Sequence, residues 1–256
     1  MIRFACLGSG SQGNGLLVEA GETRILLDCG FTLREAESRL ARLGLHPDQL
    51  DAILVTHEHD DHAGGVGRLA ARHGISVYLT YGTRRALESV LLPQLDLHLI
   101  DSHTSFAVGD IEIHPFPVPH DAREPIQFVF TDGAVRVGVL TDTGTVTPHI
   151  RDMLNGCHAL VLECNHDPEM LAQGPYPPSL KRRVAGRYGH LANPAAAELL
   201  ASLDTGRLQH LIAAHLSQTN NTPDLARGAL ADALSCDPAW IAVADQALGF
   251  DWREAR

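Results

Sequence analysis

The stretch Thr56-His57-Glu58-His59-Asp60-Asp61-His62 contains three imidazoles and a carboxylate in the spacing His-x-His-x-Asp-His. It directly follows the apolar run Ala52–Val55, which is typical of a short buried strand. Neutral imidazole and carboxylate groups are suitable ligands for Zn²⁺, Mn²⁺ or Fe. Four donor groups this close together bring their polar atoms near one another, and a bound cation relieves that crowding. The stretch therefore predicts a metal site at the end of a strand, in preference to an ordinary solvated loop.

More potential ligands lie further along the chain, each just past an apolar run: His120, Asp142 and His215. Side chains from distant segments can meet if they leave their strands at the same rim of a sheet. Taken singly, each is as consistent with a capping or surface position as with metal ligation, and a turn role is favoured for Asp142 alone. Asp28 precedes Gly30 at the end of another apolar run, where either a ligand-orienting role or a turn is expected.

The composition is that of a folded globular protein, with 45% hydrophobic and 20% charged residues among 256. No apolar run approaches the roughly 18–20 residues of a membrane span, and no signal peptide is apparent at Met1. Five cysteines without regular spacing indicate reduced thiols. A cytoplasmic protein without membrane contact is expected. The net charge of −11 argues against nonspecific coating of nucleic acid but allows a local cationic site.

Short apolar runs that end in small or polar residues predict strands. The predicted strands are Ile2–Leu7, Leu16–Glu19, Arg24–Leu27, Ala52–Val55, Ser76–Leu79, Ile111–Val118, Ile126–Phe130, Val135–Leu140, Ala159–Glu163, Leu208–Ala213 and Trp240–Val243. Helical patterns cover about Leu33–Leu43, Gly65–His73, Thr83–Leu91, His149–Leu154, Pro194–Leu203 and Thr222–Leu234. Thr222 is expected to cap the last of these helices, with Pro223 at its first position. This order indicates a mixed α/β sandwich with the sheets inside and the helices outside.

The order of the motifs, with His-x-His-x-Asp-His followed by His, Asp and His, resembles the metallo-β-lactamase-fold hydrolases. Other stretches are similar to the YycJ/WalJ nuclease family within them: Gly8–Asn14, His120–Ala122, Leu162–Asp167 and Gly174–Leu191. The resemblance implies an α/β fold, the four-layer αββα metallo-β-lactamase sandwich. It spans nearly the whole chain, so residues 1–256 are expected to form a single domain.

The resemblance also implies two divalent metal ions, Zn²⁺ or Mn²⁺. The expected ligands are His57, His59 and His120 for one ion, Asp61, His62 and His215 for the other, and Asp142 as a bridge. Two ions about 3.5–4 Å apart lower the pKa of a shared water and stabilise both the attacking and the leaving oxygen in phosphoryl transfer.

The expected catalytic residues are Asp61, His190 and Glu163. His190 resembles the histidine that precedes the last ligand in transfer-RNA 3′-processing nucleases, where it would bind the scissile phosphate or protonate the leaving oxygen. Glu163 would set the tautomer of His190 or accept its proton. His166 is interpreted either as part of the same rim or as a satisfied structural histidine.

The densest basic patch of the chain is Lys181-Arg182-Arg183, and these residues are predicted to bind substrate phosphates. Arg187 would share a face with Arg183 if residues Ser179–Tyr188 were helical. The alternative is a solvated helix face, which such charge runs usually are.

The glycine-rich loop Gly8–Gly15 is the second predicted substrate contact, through Ser11 and Asn14. Its amides and hydroxyls suit a terminal phosphate, although a plain hairpin turn explains the loop nearly as well.

The resemblance implies a metal-dependent phosphodiesterase that acts on DNA as a 5′→3′ exonuclease. The resemblance leaves open whether the DNA is single- or double-stranded and what oligomeric state the protein has. One alternative is a small-molecule hydrolase of the same fold, such as a glyoxalase II-like thioesterase or a lactonase, which would not need the basic patch. Another is a regulatory protein linked to cell-wall signalling, against which the intact ligand set argues.

Overall fold

The computed structural model describes residues 1–89, 91 and 93–256. Its strands are β1 Ile2–Gly8, β2 Gly15–Ala20, β3 Thr23–Leu27, β4 Ala52–Leu54, β5 Ser76–Thr80, β6 Leu97–Ile100, β7 Phe106–Val108, β8 Ile111–Pro117, β9 Ile126–Thr131, β10 Arg136–Leu140, β11 Ala159–Glu163, β12 His210–Ala214, β13 Ala242–Val243 and β14 Phe250–Ala255. Its α-helices are α1 Leu33–Arg42, α2 Asp60–Ala63, α3 Val66–His73, α4 Tyr81–Ala86, α5 Pro148–Leu154, α6 Pro168–Gln173, α7 Pro178–Val184, α8 Asn193–Ala201 and α9 Pro223–Leu234. Short 3₁₀ helices cover Pro47–Gln49 and Pro238–Trp240.

The strands of the described residues form two seven-stranded sheets, in the orders β14-β1-β2-β3-β4-β5-β6 and β13-β12-β11-β10-β9-β8-β7. In the first sheet, β3 to β6 run parallel, and the remaining pairs are antiparallel. In the second, β10 to β13 run parallel, and β7 to β10 form an antiparallel meander. Strands β8, β10, β11 and β12 therefore all end at one edge of the second sheet, as β3 and β4 do in the first.

Each sheet buries both of its faces, as strand β1 shows. Ile2 and Phe4 point toward the other sheet, and the alternate residues Ala5 and Leu7 point toward helices. One core lies between the two sheets. A second lies between the first sheet and helices α1 and α3, and a third between the second sheet and helices α5, α8 and α9. The layers are thus helix, sheet, sheet and helix, so the expected αββα sandwich is confirmed.

Most predicted elements are present, with their ends shifted by one or two residues. Thr222 caps helix α9 as expected, its side chain accepting a hydrogen bond from the backbone N–H of Leu225. The condition that Ser179–Tyr188 be helical is met only in part, since α7 ends at Val184. Beyond it, the N–H of Gly186 donates to the carbonyl of Arg183 in a turn. Arg187 therefore does not extend a helical face.

Two other predicted elements differ from the structure. The strand predicted over Trp240–Val243 begins only at Ala242, because Pro238–Trp240 forms a 3₁₀ helix capped by Asp237. The helix predicted over Thr83–Leu91 is α4, which starts earlier and ends at Ala86, and Val90 of that prediction lies outside the described residues. Among the described helices, none combines the length and the apolar character that crossing a membrane requires. All five cysteines are free thiols.

Candidate metal centre

The predicted donors converge where strands of both sheets end. The His57–His62 stretch follows β4 in the first sheet, while His120, Asp142 and His215 follow β8, β10 and β12 in the second. Helix α2 sets the direction of the side chains in the second half of the motif, Asp61 and His62. His59 is its N-cap residue, so the chain turns there and directs Asp61 and His62 away from the course of the strand.

One group of donors contains His57, His59 and His120. His59 Nδ1 lies 3.1 Å from His57 Nε2 and 3.3 Å from His120 Nε2. The three ligand atoms all lie within 4.8 Å of one another. Imidazole nitrogens at such separations surround a space that suits a cation with tetrahedral or higher coordination.

The other group contains Asp61, His62 and His215. Asp61 Oδ2 lies 3.6 Å from His62 Nε2 and 3.5 Å from His215 Nε2. Asp142 lies between the two groups: its Oδ2 is 3.2 Å from His62 Nε2, and its Oδ1 is 3.5 Å from His215 Nε2 and 4.0 Å from His120 Nε2. The structure thus brings all seven predicted donors together, with one carboxylate in contact with both groups.

Two buried atoms of this centre show that its donors fit metal ions. Asp142 Oδ2 and His215 Nε2 are buried and make no hydrogen bond. Unsatisfied buried polar atoms are rare because leaving them without a partner is costly. Both atoms face other donors, and nitrogen and carboxylate oxygen together are the ligands that divalent Zn²⁺ and Mn²⁺ accept. The histidine and aspartate clusters are therefore arranged for binding divalent metal.

Hydrogen bonds outside the centre orient His57 and His62. The backbone N–H and hydroxyl of Thr56 both donate to Asp28, at 2.8 Å each, and His62 Nδ1 also lies 2.8 Å from that carboxylate. The hydroxyl oxygen of Thr56 lies 2.9 Å from His57 Nδ1, from which it can accept a hydrogen bond. Bonds at Nδ1 leave each Nε2 directed inward, which is the usual arrangement around metal-binding histidines.

Contacts from outside the centre also orient His120 and His215. His120 Nδ1 lies 3.0 Å from the carbonyl oxygen of Gly189. His215 Nδ1 lies 3.6 Å from Glu163 Oε1, and Asn165 donates to the carbonyl oxygen of His215 at 3.0 Å. These contacts join residues far apart in sequence, so the motifs alone did not reveal the roles of Gly189 and Asn165.

The backbone is strained at three residues of the centre. Asp28, Asp142 and His215 have φ values of 61°, 52° and 54°, and they make up three of the four non-glycine residues with positive φ in the described chain. Such conformations are unfavourable for residues with a side chain and are found preferentially at functional sites. Here the strain turns each side chain inward directly after its strand.

The electrostatic field of the centre favours positive charge. Burial alone would lower the pKa of His62, but Asp142 and Asp28 raise it well above its ordinary value. Burial likewise opposes protonation of His215, yet carboxylates, foremost Asp142, raise its pKa to about 10. Burial and the neighbouring His62 lower the pKa of His57 well below its usual range, and Asp142 offsets only part of this. The carboxylates thus attract cations, whether protons or metal ions.

His190 and Glu163 form a pair beside the donors. His190 Nδ1 lies 2.8 Å from Glu163 Oε1 and 3.5 Å from Asp142 Oδ1. Glu163 is fully buried, and its other oxygen accepts a hydrogen bond from the backbone N–H of Thr143. Burial lowers the pKa of His190, but Glu163 outweighs it and raises the pKa above the usual value. His190 lines a cleft, and its Nε2 is not engaged by Glu163.

That cleft has a volume of 340 Å³, and it also contains Asp61, Asp142 and His215 in its lining. Of the predicted basic residues, Arg183 lines it, and its Nε lies 2.6 Å from Asp121 Oδ2. Lys181 does not line it and donates instead to the carbonyl oxygen of Ala172.

The other predicted substrate contacts are divided in the same way. Ser11 lines the cleft, whereas Arg182 does not. Asn14 is buried, and its side-chain amide donates to the carbonyl oxygen of Asp61 at 3.1 Å, so it supports a predicted metal ligand. His166 is also buried, with Nδ1 lacking a hydrogen bond, and it does not line the cleft.

Comparisons with known proteins agree with this geometry. Residues 23–215 match the family model of the β-lactamase superfamily domain. The chain is 37% identical over 235 residues to the exodeoxyribonuclease YycJ of Bacillus anthracis, covering 91% of this chain and 89% of that protein. It is 34% identical to the exodeoxyribonuclease WalJ of Streptococcus pneumoniae serotype 2, covering 98% of this chain and 93% of that protein.

A solved structure shares the fold. The metallo-β-lactamase fold protein YhfI from Bacillus subtilis superimposes with a TM-score of 0.78, covering 99% of each chain at 17% sequence identity. This chain therefore belongs to the β-lactamase superfamily and, within it, to the family of the exodeoxyribonucleases YycJ and WalJ.

Proposed function

We propose that this metal-dependent hydrolase is an exodeoxyribonuclease that removes nucleotides from DNA in the 5′→3′ direction, using two zinc or manganese ions. The observation that carries the proposal is the position of the His190–Glu163 pair, which adjoins Asp142 at the point where the two donor groups meet. A proton donor held beside a cation site can protonate the leaving oxygen when a phosphodiester is cleaved. The relatives' printed names support DNA as the substrate.

In this proposal His57, His59 and His120 would hold one ion, Asp61, His62 and His215 would hold the other, and Asp142 would be available to both. When bound, such ions supply an activated water and neutralise charge on the phosphate. His190 protonates the leaving oxygen from Nε2, because Glu163 engages Nδ1 and so fixes the ring. Asp61 belongs to the catalytic set as a ligand that adjoins the cleft.

Substrate contacts are proposed for the residues that line the cleft. Asp121 orients Arg183 by accepting a hydrogen bond from its Nε. The other nitrogens of the guanidinium can then bind a phosphate oxygen. Ser11 contributes a hydroxyl. Lys181 and Arg182 lie outside the lining and would meet DNA further from the reacting phosphate. Since both sheets supply donors, we propose that residues 1–256 act as one domain, and the free thiols support a cytoplasmic location.

The proposal is tested by incubating the purified protein with 5′-phosphorylated single-stranded and duplex DNA in Mn²⁺ or Zn²⁺. We expect mononucleotides to be released from the 5′ end. His190→Ala should slow turnover by about 10²-fold or more while bound metal stays unchanged. His46→Ala, at an exposed histidine outside the cleft, is the matched control. Failure to cut DNA with either metal, or turnover of a thioester in its place, would contradict the nuclease assignment.

A further inference from the structure

The cleft has a lining of two kinds. Hydroxyl and amide groups come from Ser11, Asn165 and Ser217. Another part of the lining is aromatic and aliphatic, with Tyr176 before helix α7 and Leu180 within it. Metal ligation and phosphate contacts use none of this apolar part, so it is available for some other portion of the substrate.

The chain holds Tyr176 in a stiff segment. Prolines stand on both sides of it, in Pro175-Tyr176-Pro177, and a third proline begins α7. Proline fixes its own φ and confines the preceding residue to extended conformations. Pro177 accordingly has φ −62° and ψ 153°. A side chain held in this way loses little conformational entropy when it binds a ligand.

The start of this segment is anchored against the rest of the protein. The N–H of Gly174 donates to the carbonyl oxygen of Met170 at 2.7 Å. A Cβ at Gly174 would lie 2.6 Å from Asn220 Oδ1, so only glycine allows this approach. The backbone N–H of Asn220 in turn donates a hydrogen bond to the hydroxyl of Ser217, which connects Asn220 to the loop that contains Ser217. The position of Tyr176 relative to the polar lining is therefore built into the fold.

The ring of Tyr176 is half-buried, so one part of it is supported while another part is open to the cleft. An aromatic ring of this kind binds planar heterocycles by stacking, and every nucleobase offers such a face. Arg183 lines the same cleft from within α7, whereas Tyr176 precedes that helix, and Arg183 provides a cation for the phosphate of the same nucleotide. A volume of 340 Å³ is that of a pocket for one small ligand.

We propose that Tyr176 is a stacking platform for the base of the terminal nucleotide, so that the cleft recognises a nucleobase in addition to a phosphate. This inference rests on the proposed nuclease function. It makes Tyr176 a specificity-determining residue that discriminates nucleotides with a base from those without one. Because stacking is tolerant of base identity, little preference among the four bases is expected.

The test uses two oligodeoxynucleotides that differ only at their ends. In one, both terminal nucleotides carry adenine; in the other, both are abasic tetrahydrofuran residues, so that cleavage polarity does not affect the comparison. We expect the wild-type holoenzyme to prefer the base-bearing ends. Tyr176→Ala should lose roughly 5- to 150-fold in kcat/KM on those ends, with a change of less than about twofold on abasic ends.

Two control variants separate stacking from structural effects. Tyr176→Phe should keep the base preference, because the ring remains. Tyr188→Ala, at an exposed tyrosine outside the cleft lining, should behave as wild type. If Tyr176→Ala lowers kcat/KM equally on both substrates, or on neither, the stacking role is wrong while the nuclease function stands. If the wild-type protein cuts neither substrate with Mn²⁺ or Zn²⁺, the proposed function fails, and this inference fails with it.

Discussion

At the scale of single residues, Asp28 allows a direct test of how ligands are oriented. Its carboxylate accepts from Thr56 and His62 and is not itself among the expected ligands. Asp28→Asn tolerates the positive φ, since asparagine also adopts that conformation, but it presents an uncharged amide to His62. We expect metal affinity to fall by about 10- to 100-fold, as measured by competition with a chelator. Asp48→Asn, at an exposed carboxylate paired with an exposed histidine, should have no effect, and equal affinities for all three proteins would contradict the orienting role.

The basic patch can also be resolved residue by residue. Arg183 lines the cleft, while Lys181 is turned toward the carbonyl oxygen of Ala172. Arg183→Ala should therefore weaken DNA turnover and lower the slope of log affinity against log salt by about one, the value for one lost phosphate contact. Lys181→Ala is the matched control and should change DNA turnover much less, because any contact of Lys181 with DNA lies further from the reacting phosphate. A larger effect at Lys181 than at Arg183 would place the DNA path outside the cleft.

At the scale of elements, the loop of Gly30 lies directly against the backbone of helix α2 and helps to position that helix. A Cβ at Gly30 would lie 1.9 Å from the carbonyl oxygen of Asp61. Gly30→Ala should therefore push these backbones apart, lower stability by about 1–3 kcal/mol and reduce metal content. Gly228→Ala is the converse case, because Gly228 is inside helix α9 and a Cβ there meets nothing within 4 Å. It should raise stability by about 0.5–1 kcal/mol. Urea unfolding measures both changes, and a Gly30→Ala protein as stable as wild type would contradict the packing argument.

The strands that the sequence left unpredicted share a physical cause. Strands β6, β7 and β14 lie at sheet edges or beside them, where one side meets solvent and the apolar pattern is weak. Strand β14, for example, contains Asp251, Arg253 and Glu254. Helix α2 has only four residues, too few for a periodic pattern. The central strands, buried on both faces, were predicted because their apolar runs are continuous.

At the scale of the whole molecule, the metal-binding residues could be proposed from the sequence, but the groups that orient them could not. Ligand chemistry allows few residue types, so the closely spaced His57–His62 stretch indicated a metal site by itself, whereas His120, Asp142 and His215 were assigned to that site through the family resemblance. The groups that orient them, such as the carbonyl oxygen of Gly189 and the amide of Asn165, are common residues that act through contacts distant in sequence. The contribution of Asn14 is of the same kind: a substrate contact was predicted, and the structure shows an amide that supports Asp61.

Because the donors come from both sheets, metal binding should stabilise the entire fold. Ligand at about 100 times its dissociation constant adds about 2.7 kcal/mol to stability, which for a chain of this size corresponds to a rise in Tm of about 5–10 °C. Removing metal with a chelator should lower Tm by that amount, and adding Zn²⁺ or Mn²⁺ back should restore it. Asp142→Asn should abolish most of the metal-dependent change, because Asp142 contacts both donor groups. Asp96→Asn, at an exposed carboxylate beside His98, should retain it in full. A wild-type Tm that is the same with chelator and with added metal would mean that the two sheets do not share a cation.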